Sequence, residues 1–329
     1  MGNGHNPVPQ EFFEVRFSPL GSLEGAPTVY APTRKRPLWP ALLLFLLTVL
    51  STLAVGAEFA ASYATNRQPF SGPQNPWQMM SIPFAHPRLL VLGIPFSFTL
   101  LAILLAHELG HYFACKIYGI DVSYPYFIPA PTLIGTFGAF IRIRSPITTR
   151  RALFDIGLAG PVAGFIVALP AVIYGMAAAK VVPHVDANAT ILFGNPPLMR
   201  IFLALFHPHV NPNWILLSPA GRAAWVGVFA TALNLLPAWQ LDGGHIVYTL
   251  AERKHRIISF GVAIALIALG WQSAVWWMWG GLLLILTLRF RHPPPLDRWQ
   301  PLDRSRRVWA LIALLIFLLC FTPWAVTGN

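Results

Sequence analysis

The run Leu89–Cys115, LLVLGIPFSFTLLAILLAHELGHYFAC, decides how the rest of the chain is read. Residues 89–106 carry no charge and have the length and apolarity of a membrane-spanning helix. His107, Glu108 and His111 follow directly. Two histidines four apart on a helix share a face, so both imidazoles reach one metal ion while Glu108 lies beside it, within reach of a bound water. Metal-assisted hydrolysis is the chemistry of such a trio, and here its elements would lie inside a bilayer.

Composition supports that setting. Of 329 residues, 55% are hydrophobic and 11% charged, against about 25% charged in a soluble protein. Cys115 and Cys320, far apart and in or beside apolar runs, imply no disulfide framework. Residues 1–36 are rich in proline and glycine, without a sustained period, and end in Arg34-Lys35-Arg36. They read as a flexible tail, with neither the short apolar core nor the cleavage site of a signal peptide.

The apolar runs are Pro37–Glu58, Leu89–Cys115, Asp155–Ala179, Ala220–Leu236, Ile257–Trp271, Ala274–Phe290 and Val308–Ala325. The expected fold is therefore an all-α polytopic membrane protein of about seven transmembrane helices. Gly160-Pro161-Val162-Ala163-Gly164 reads as a small-residue packing surface with a bend. Leu198–Phe206 reads as an amphipathic piece on the membrane surface, and His184, His207 and His209 as solvated loop residues. Trp271, Trp276, Trp277 and Trp279 read as an interfacial aromatic cluster. Between the second and third runs, proline and glycine break up an apolar stretch in which Phe140–Arg144 alternates like a strand. A short membrane-associated β-hairpin or re-entrant segment beside the active site accommodates it, because strand edges at membrane depth must be buried in protein or line a watered cavity.

The net charge of +11 raises the question of nucleic acid. With the N-terminus cytoplasmic and seven crossings, eighteen of the 23 Lys and Arg fall on the inner side. That is the bias topology demands, so nucleic-acid binding is unnecessary. The same topology puts the His107–His111 motif in the membrane nearer the cytoplasmic face, and Asp242 at a similar depth.

Of the twelve carboxylates, Glu108 and Asp242 sit well inside the apolar stretches. A buried ionisable group in a membrane costs several kcal/mol unless paired or metal-bound. Catalytic zinc takes three protein ligands and leaves one position open. His107, His111 and Asp242 supply the three, for one Zn2+ per chain, and Glu108 is left as the base that takes a proton from the activated water and returns it to the leaving amine. Gly243 and Gly244 suit a tight turn that aims Asp242. Cys115 reads as a packing residue, and His245 as either a support to the ligands or simply buried.

With His107-Glu108-Leu109-Gly110-His111 and the distant pair Asn234-Leu235-Leu236-Pro237 and Leu241-Asp242-Gly243-Gly244-His245, the chain resembles the site-2 protease family of intramembrane zinc metalloproteases. GTFGAFIRIRSP and FDIGLAGPVAG are also similar to family segments, so the resemblance covers roughly residues 89–255. It implies the same zinc ligands and base, and gives Asn234 a role in orienting substrate or stabilising the oxyanion. It also implies hydrolysis of a peptide bond in or near a transmembrane segment of another protein, as in regulated intramembrane proteolysis. The unwound substrate strand would pair with the segment around Gly135–Ile143, with Gly135, Thr136, Phe137 and Gly138 as substrate-binding residues.

The expected organisation is a tail over 1–36, a protease core over 37–291 with its motifs within 89–255, and a linker with an extra C-terminal helix over 292–329. Expected partners are the bilayer and a transmembrane protein substrate; the oligomeric state is left open. The expected location is the plasma membrane. The rival from another class is a metal-ion transporter or carrier using the same ligands, which predicts polar groups strung along a path across the membrane. The sequence offers one compact set.

Overall fold

The computed structural model of the protein describes residues 37–70, 81, 83–183, 192–297, 299 and 301–327. The tail expected over 1–36, and His184, lie outside the described residues. Helix α1 (Trp39–Ala64) is followed by a 3-10 turn, Pro87–Gly93, that runs into α2 (Ile94–Ile117). A hairpin of β1 (Tyr126–Pro129) and β2 (Thr136–Phe140) leads to α3 (Arg150–Ala177). Beyond it come β3 (Lys180–Val181), β4 (Leu192–Phe193), α4 (Pro197–Phe206), β5 (Ile215–Leu216) and α5 (Pro219–Asn234). Helices α6 (Asp242–Ala251), α7 (His255–Leu269), α8 (Ala274–Arg289) and α9 (Arg304–Cys320) complete the helical part, with β6 (Val326–Thr327) at the end.

Among the described residues, three helices are long and apolar enough to cross a membrane: Trp39–Ala64, Pro87–Ile117 and Arg150–Ala177. Every apolar run of the sequence contains a helix, but α5, α7, α8 and α9 have 15 to 17 residues. At about 1.5 Å per residue they fall short of a hydrocarbon core of about 30 Å. The count of seven crossings is therefore not established by helix length, whereas a membrane-embedded, mostly helical protein is.

Helices α2, α3 and α5 form the centre. Phe96, Leu100 and Ile103 of α2 are buried with Phe154 and Leu158 of α3 and Ala223, Ala224 and Val228 of α5. Small residues set the spacing: a Cβ on Gly110 of α2 would fall 2.4 Å from the Ala159 carbonyl oxygen of α3. Thr149 caps α3, its hydroxyl accepting from Ala152 N–H, and Pro161 and Pro170 lie within that helix.

A hairpin is present, but the alternation read at Phe140–Arg144 is not its strand: the second strand is Thr136–Phe140, and beyond it Ile143 makes only an isolated bridge with Val122. Tyr126 pairs with Phe140, Phe127 with Ala139 and Pro129 with Thr136, with an irregularity between Phe127 and Pro129. Gly135, at φ 79°, makes the turn. Its carbonyl accepts from Ala130 N–H at 3.2 Å and from the Ser51 hydroxyl at 2.6 Å, tying the hairpin to α1. The sheet has two strands, so one edge of β2 has no strand partner among the described residues.

Two expectations are corrected here. Trp276 is core: it is fully buried and donates its indole N–H to the Pro323 carbonyl at 2.6 Å, while Trp271 and Trp277 are exposed. His207 is anchored, its Nε2 donating to the Met176 carbonyl at 2.9 Å. Cys115 is a packing residue, fully buried among Ile120, Val122, Ala152 and Ile156.

Candidate metal centre

His107 and His111 lie one turn apart on α2, both buried, and their rings meet edge to face with centroids 4.7 Å apart. Asp242 is the first residue of α6. Its Oδ2 lies 3.3 Å from His107 Nε2 and 3.4 Å from His111 Nε2, and the two Nε2 atoms are 3.0 Å apart. The three donors thus form a nearly equilateral triangle. Among the described residues this is the group that could hold a metal ion.

The donor set fits zinc. Three bonds of about 2.0–2.2 Å in tetrahedral directions separate the ligand atoms by about 3.3–3.5 Å, close to the sides of this triangle. His111 is also in the right tautomer. Its Nδ1–H donates to the Ile156 carbonyl at 2.7 Å, which leaves the Nε2 lone pair for a metal. Two imidazole Nε2 atoms 3.0 Å apart beside a carboxylate oxygen make sense around a cation or a shared proton, and not as bare lone pairs.

Helix α3 seats the two imidazoles through Gly160 and Gly164, and the neighbouring His245 through Gly157. A Cβ on Gly160 would lie 2.1 Å from His111 Nε2, one on Gly164 would lie 3.1 Å from His107 Cβ, and one on Gly157 would lie 2.9 Å from His245 Cβ. The segment read as a helix-packing surface is also the bed of the two histidines that could hold a metal ion. Sequence gave no separate signal for that role, because glycine at helical spacing looks the same in either case.

Glu108 is buried on α2, between the two histidines in sequence and directly after His107. Strand β2 of the hairpin packs against α2, the helix that carries the proposed base. Asn234, the last residue of α5, places Nδ2 3.2 Å from His107 Nε2. Helices α2, α5 and α6 thus bring all five residues of the proposed catalytic set to one place.

The loop that delivers Asp242 is short and strained. Trp239 has a φ of 49°, a left-handed value that is costly for a bulky residue. It is held from both sides: its N–H donates to Ser259 Oγ at 3.0 Å, and its carbonyl accepts from His255 Nε2 at 3.0 Å. The glycines after Asp242 serve close approach within a helix and not a turn. A Cβ on Gly243 would be 2.1 Å from the Leu235 carbonyl oxygen, and one on Gly244 2.5 Å from those of Ala238 and Trp239.

His245 stays outside the triangle and pairs instead with His292, Nδ1 to Nε2 at 2.8 Å. His292 Nδ1–H donates to the Pro293 carbonyl at 2.8 Å, so its Nε2 accepts from His245. Burial, then the neighbouring imidazoles of His245 and His255, push the His292 pKa down to about 3, keeping that ring neutral. Neither the Ile156 carbonyl nor His292 was visible as a functional residue in the sequence.

Of the expected substrate-binding residues, Gly135 is taken up by the turn and Thr136 is buried, its hydroxyl donating to the Ile128 carbonyl at 2.7 Å. Phe137 is 72% exposed, and open space surrounds the Cβ position of Gly138. The accessible part of the four is Phe137 and Gly138.

Residues 95–275 match peptidase family M50. The chain is similar to the probable zinc metalloprotease EGY1, chloroplastic, of Arabidopsis thaliana, with 30% identity over 98% of this chain and 59% of that protein. It is similar to the EGY1 protein of the same description from Oryza sativa subsp. japonica, at 29% identity over 86% of this chain and 50% of the relative. A third relative, the probable zinc metalloprotease EGY2, chloroplastic, of Arabidopsis thaliana, is 31% identical over 75% of this chain and 45% of its own length. The chain thus spans roughly half the length of the curated relatives it matches. All three are named chloroplastic, which lends no support to the plasma-membrane location expected from the sequence.

Proposed function

The chain belongs to peptidase family M50, and from that premise we propose that it is an intramembrane zinc endopeptidase that hydrolyses a peptide bond in or near a transmembrane segment of a protein substrate. The observation that carries the reading is the triangle of His107, His111 and Asp242 with Glu108 beside it, set among apolar helices.

Zinc held by the three residues supplies Lewis acidity for the carbonyl and a more acidic water at neutral pH. Glu108 takes up the proton released in the attack and returns it to the amine nitrogen of the departing strand, so it must be ionised at the start. Asn234 points an amide donor into the site from the end of α5, which suits it to hold the scissile carbonyl oxygen as charge develops there. Ile156 fixes the His111 ring through Nδ1.

A helical substrate hides its carbonyls and must unwind to be cut. The edge of β2 that has no strand partner among the described residues lies on a hairpin packed against α2 and is the surface for that strand, with Phe137 and Gly138 as its accessible contacts. Seven crossings with a cytoplasmic N-terminus, the site on the cytoplasmic half, remain the arrangement that best explains the placement of basic residues. In that arrangement residues 37–291 are the protease core and 292–329 add a linker and one helix. The metal-carrier alternative draws no support from family membership.

The test is cleavage of a model membrane-spanning substrate by purified protein in detergent. Glu108→Gln should retain zinc and lose activity by about three orders of magnitude or more. Equal cleavage by parent and variant overturns the reading.

A further inference from the structure

A cavity of about 500 Å³ lies beside the first residues of α7 and the end of α8, and none of the metal-triangle residues lines it. Its size is that of a small-molecule site. Its charge is one-sided. Arg253, Arg256 and Arg291 line it against one carboxylate, Glu252, which already accepts from the Tyr248 hydroxyl at 2.9 Å. Among the described residues, none of the three guanidiniums stands within ion-pair distance of a carboxylate.

The wall also carries polar groups without a hydrogen-bond partner among the described residues. The Thr287 hydroxyl and the Trp239 indole N–H are buried and unpaired, and Thr287 is 3% exposed overall. Buried donors left unpaired are unfavourable and mark places where a ligand or water completes the structure. Guanidiniums offer forked N–H donors that match phosphate oxygens, and three of them on one concavity repel each other until an anion is bound.

We propose that this cavity binds a phosphate-bearing anion, held by Arg253, Arg256 and Arg291. Its wall includes Ser259 and His255, the two residues that clamp Trp239 in its left-handed conformation ahead of Asp242. Binding therefore steadies the loop that presents the third metal donor. The inference stands on the cavity and its charge, and does not depend on the proteolytic reading.

The full chain, purified in detergent and stripped of phospholipid, is titrated by calorimetry with inorganic phosphate, with dihexanoyl phosphatidylglycerol and with uncharged dihexanoylglycerol. Saturable binding of a phosphate-bearing probe is expected, with none of the uncharged one. The double change Arg256→Gln with Arg291→Gln should weaken it by about tenfold or more, while Arg88→Gln, an exposed charge elsewhere, leaves it unchanged. Binding of the diacyl probe alone identifies a lipid headgroup; binding of both identifies a free phosphate group. Failure of both phosphate probes to saturate, or binding that survives the double change, overturns the proposal. So does an equal loss in Arg88→Gln. Should the double variant melt before titration, the single changes, each expected at about threefold, carry the same comparison.

Discussion

The two halves of the metal triangle are held by different means. His107 and His111 share a face of a regular 24-residue helix, and their spacing follows from 3.6 residues per turn alone. Asp242 opens a 10-residue helix after an irregular loop that contains a left-handed tryptophan. The first half is written in local periodicity. The second exists through distant partners, Ser259 and His255, that hold Trp239 in place. Changes around the imidazoles should therefore act by displacing rings, and changes around Asp242 by loosening a loop.

The largest effect is expected at Gly160→Ala. The added methyl would sit 2.1 Å from His111 Nε2 and 2.4 Å from Cε1, so the ring must leave the triangle. Zinc affinity should fall by about 100-fold, with a stability loss of about 1–3 kcal/mol, read by chelator competition and by thermal unfolding. Gly164→Ala meets His107 Cβ at 3.1 Å and should do much less. A Gly160→Ala protein with parental zinc affinity would show that α3 does not seat the imidazole.

Ser259→Ala probes the other half. It removes the acceptor for Trp239 N–H, at a cost of about 1–3 kcal/mol, and the freed loop should lower zinc affinity by about tenfold. Chelator competition at two temperatures sharpens the contrast, since a loosened loop loses affinity faster on warming than a rigid helix does.

The smallest effect is expected where neither half is touched. Arg306 of α9 donates to Asp155 Oδ1 at 2.9 Å, to Asp303 and to the Tyr118 hydroxyl, tying the last helix to the end of α2 and the start of α3. The group is partly exposed, so Arg306→Gln should cost about 1 kcal/mol and leave zinc content unchanged. A loss of zinc there would mean that α9 supports the site as well as the fold.

The same division explains what the sequence disclosed. The His107–His111 helix, the hairpin around Gly135 and the partnership of Asp242 with the two histidines were legible, because periodicity, turn residues and the rarity of membrane-embedded carboxylates each leave a local mark. The Ile156 carbonyl that orients His111, 45 positions away, leaves none, since every residue has a carbonyl. Gly160 was legible as a small residue and not as the floor of an imidazole. The apolar runs announced helices correctly, but four of those helices have only 15 to 17 residues, so helix length by itself does not establish seven crossings. Trp276 carries the same composition signal as Trp277, yet one is core and the other surface.

The central claim is that two sequence-distant halves make one zinc site, and metal content tests it most directly. Elemental analysis of the purified full chain should give about one zinc per chain, and Asp242→Ala, prepared identically and shown to be folded, should retain a small fraction of it. A parent protein without zinc, or an Asp242→Ala protein with as much zinc as the parent, would contradict the account.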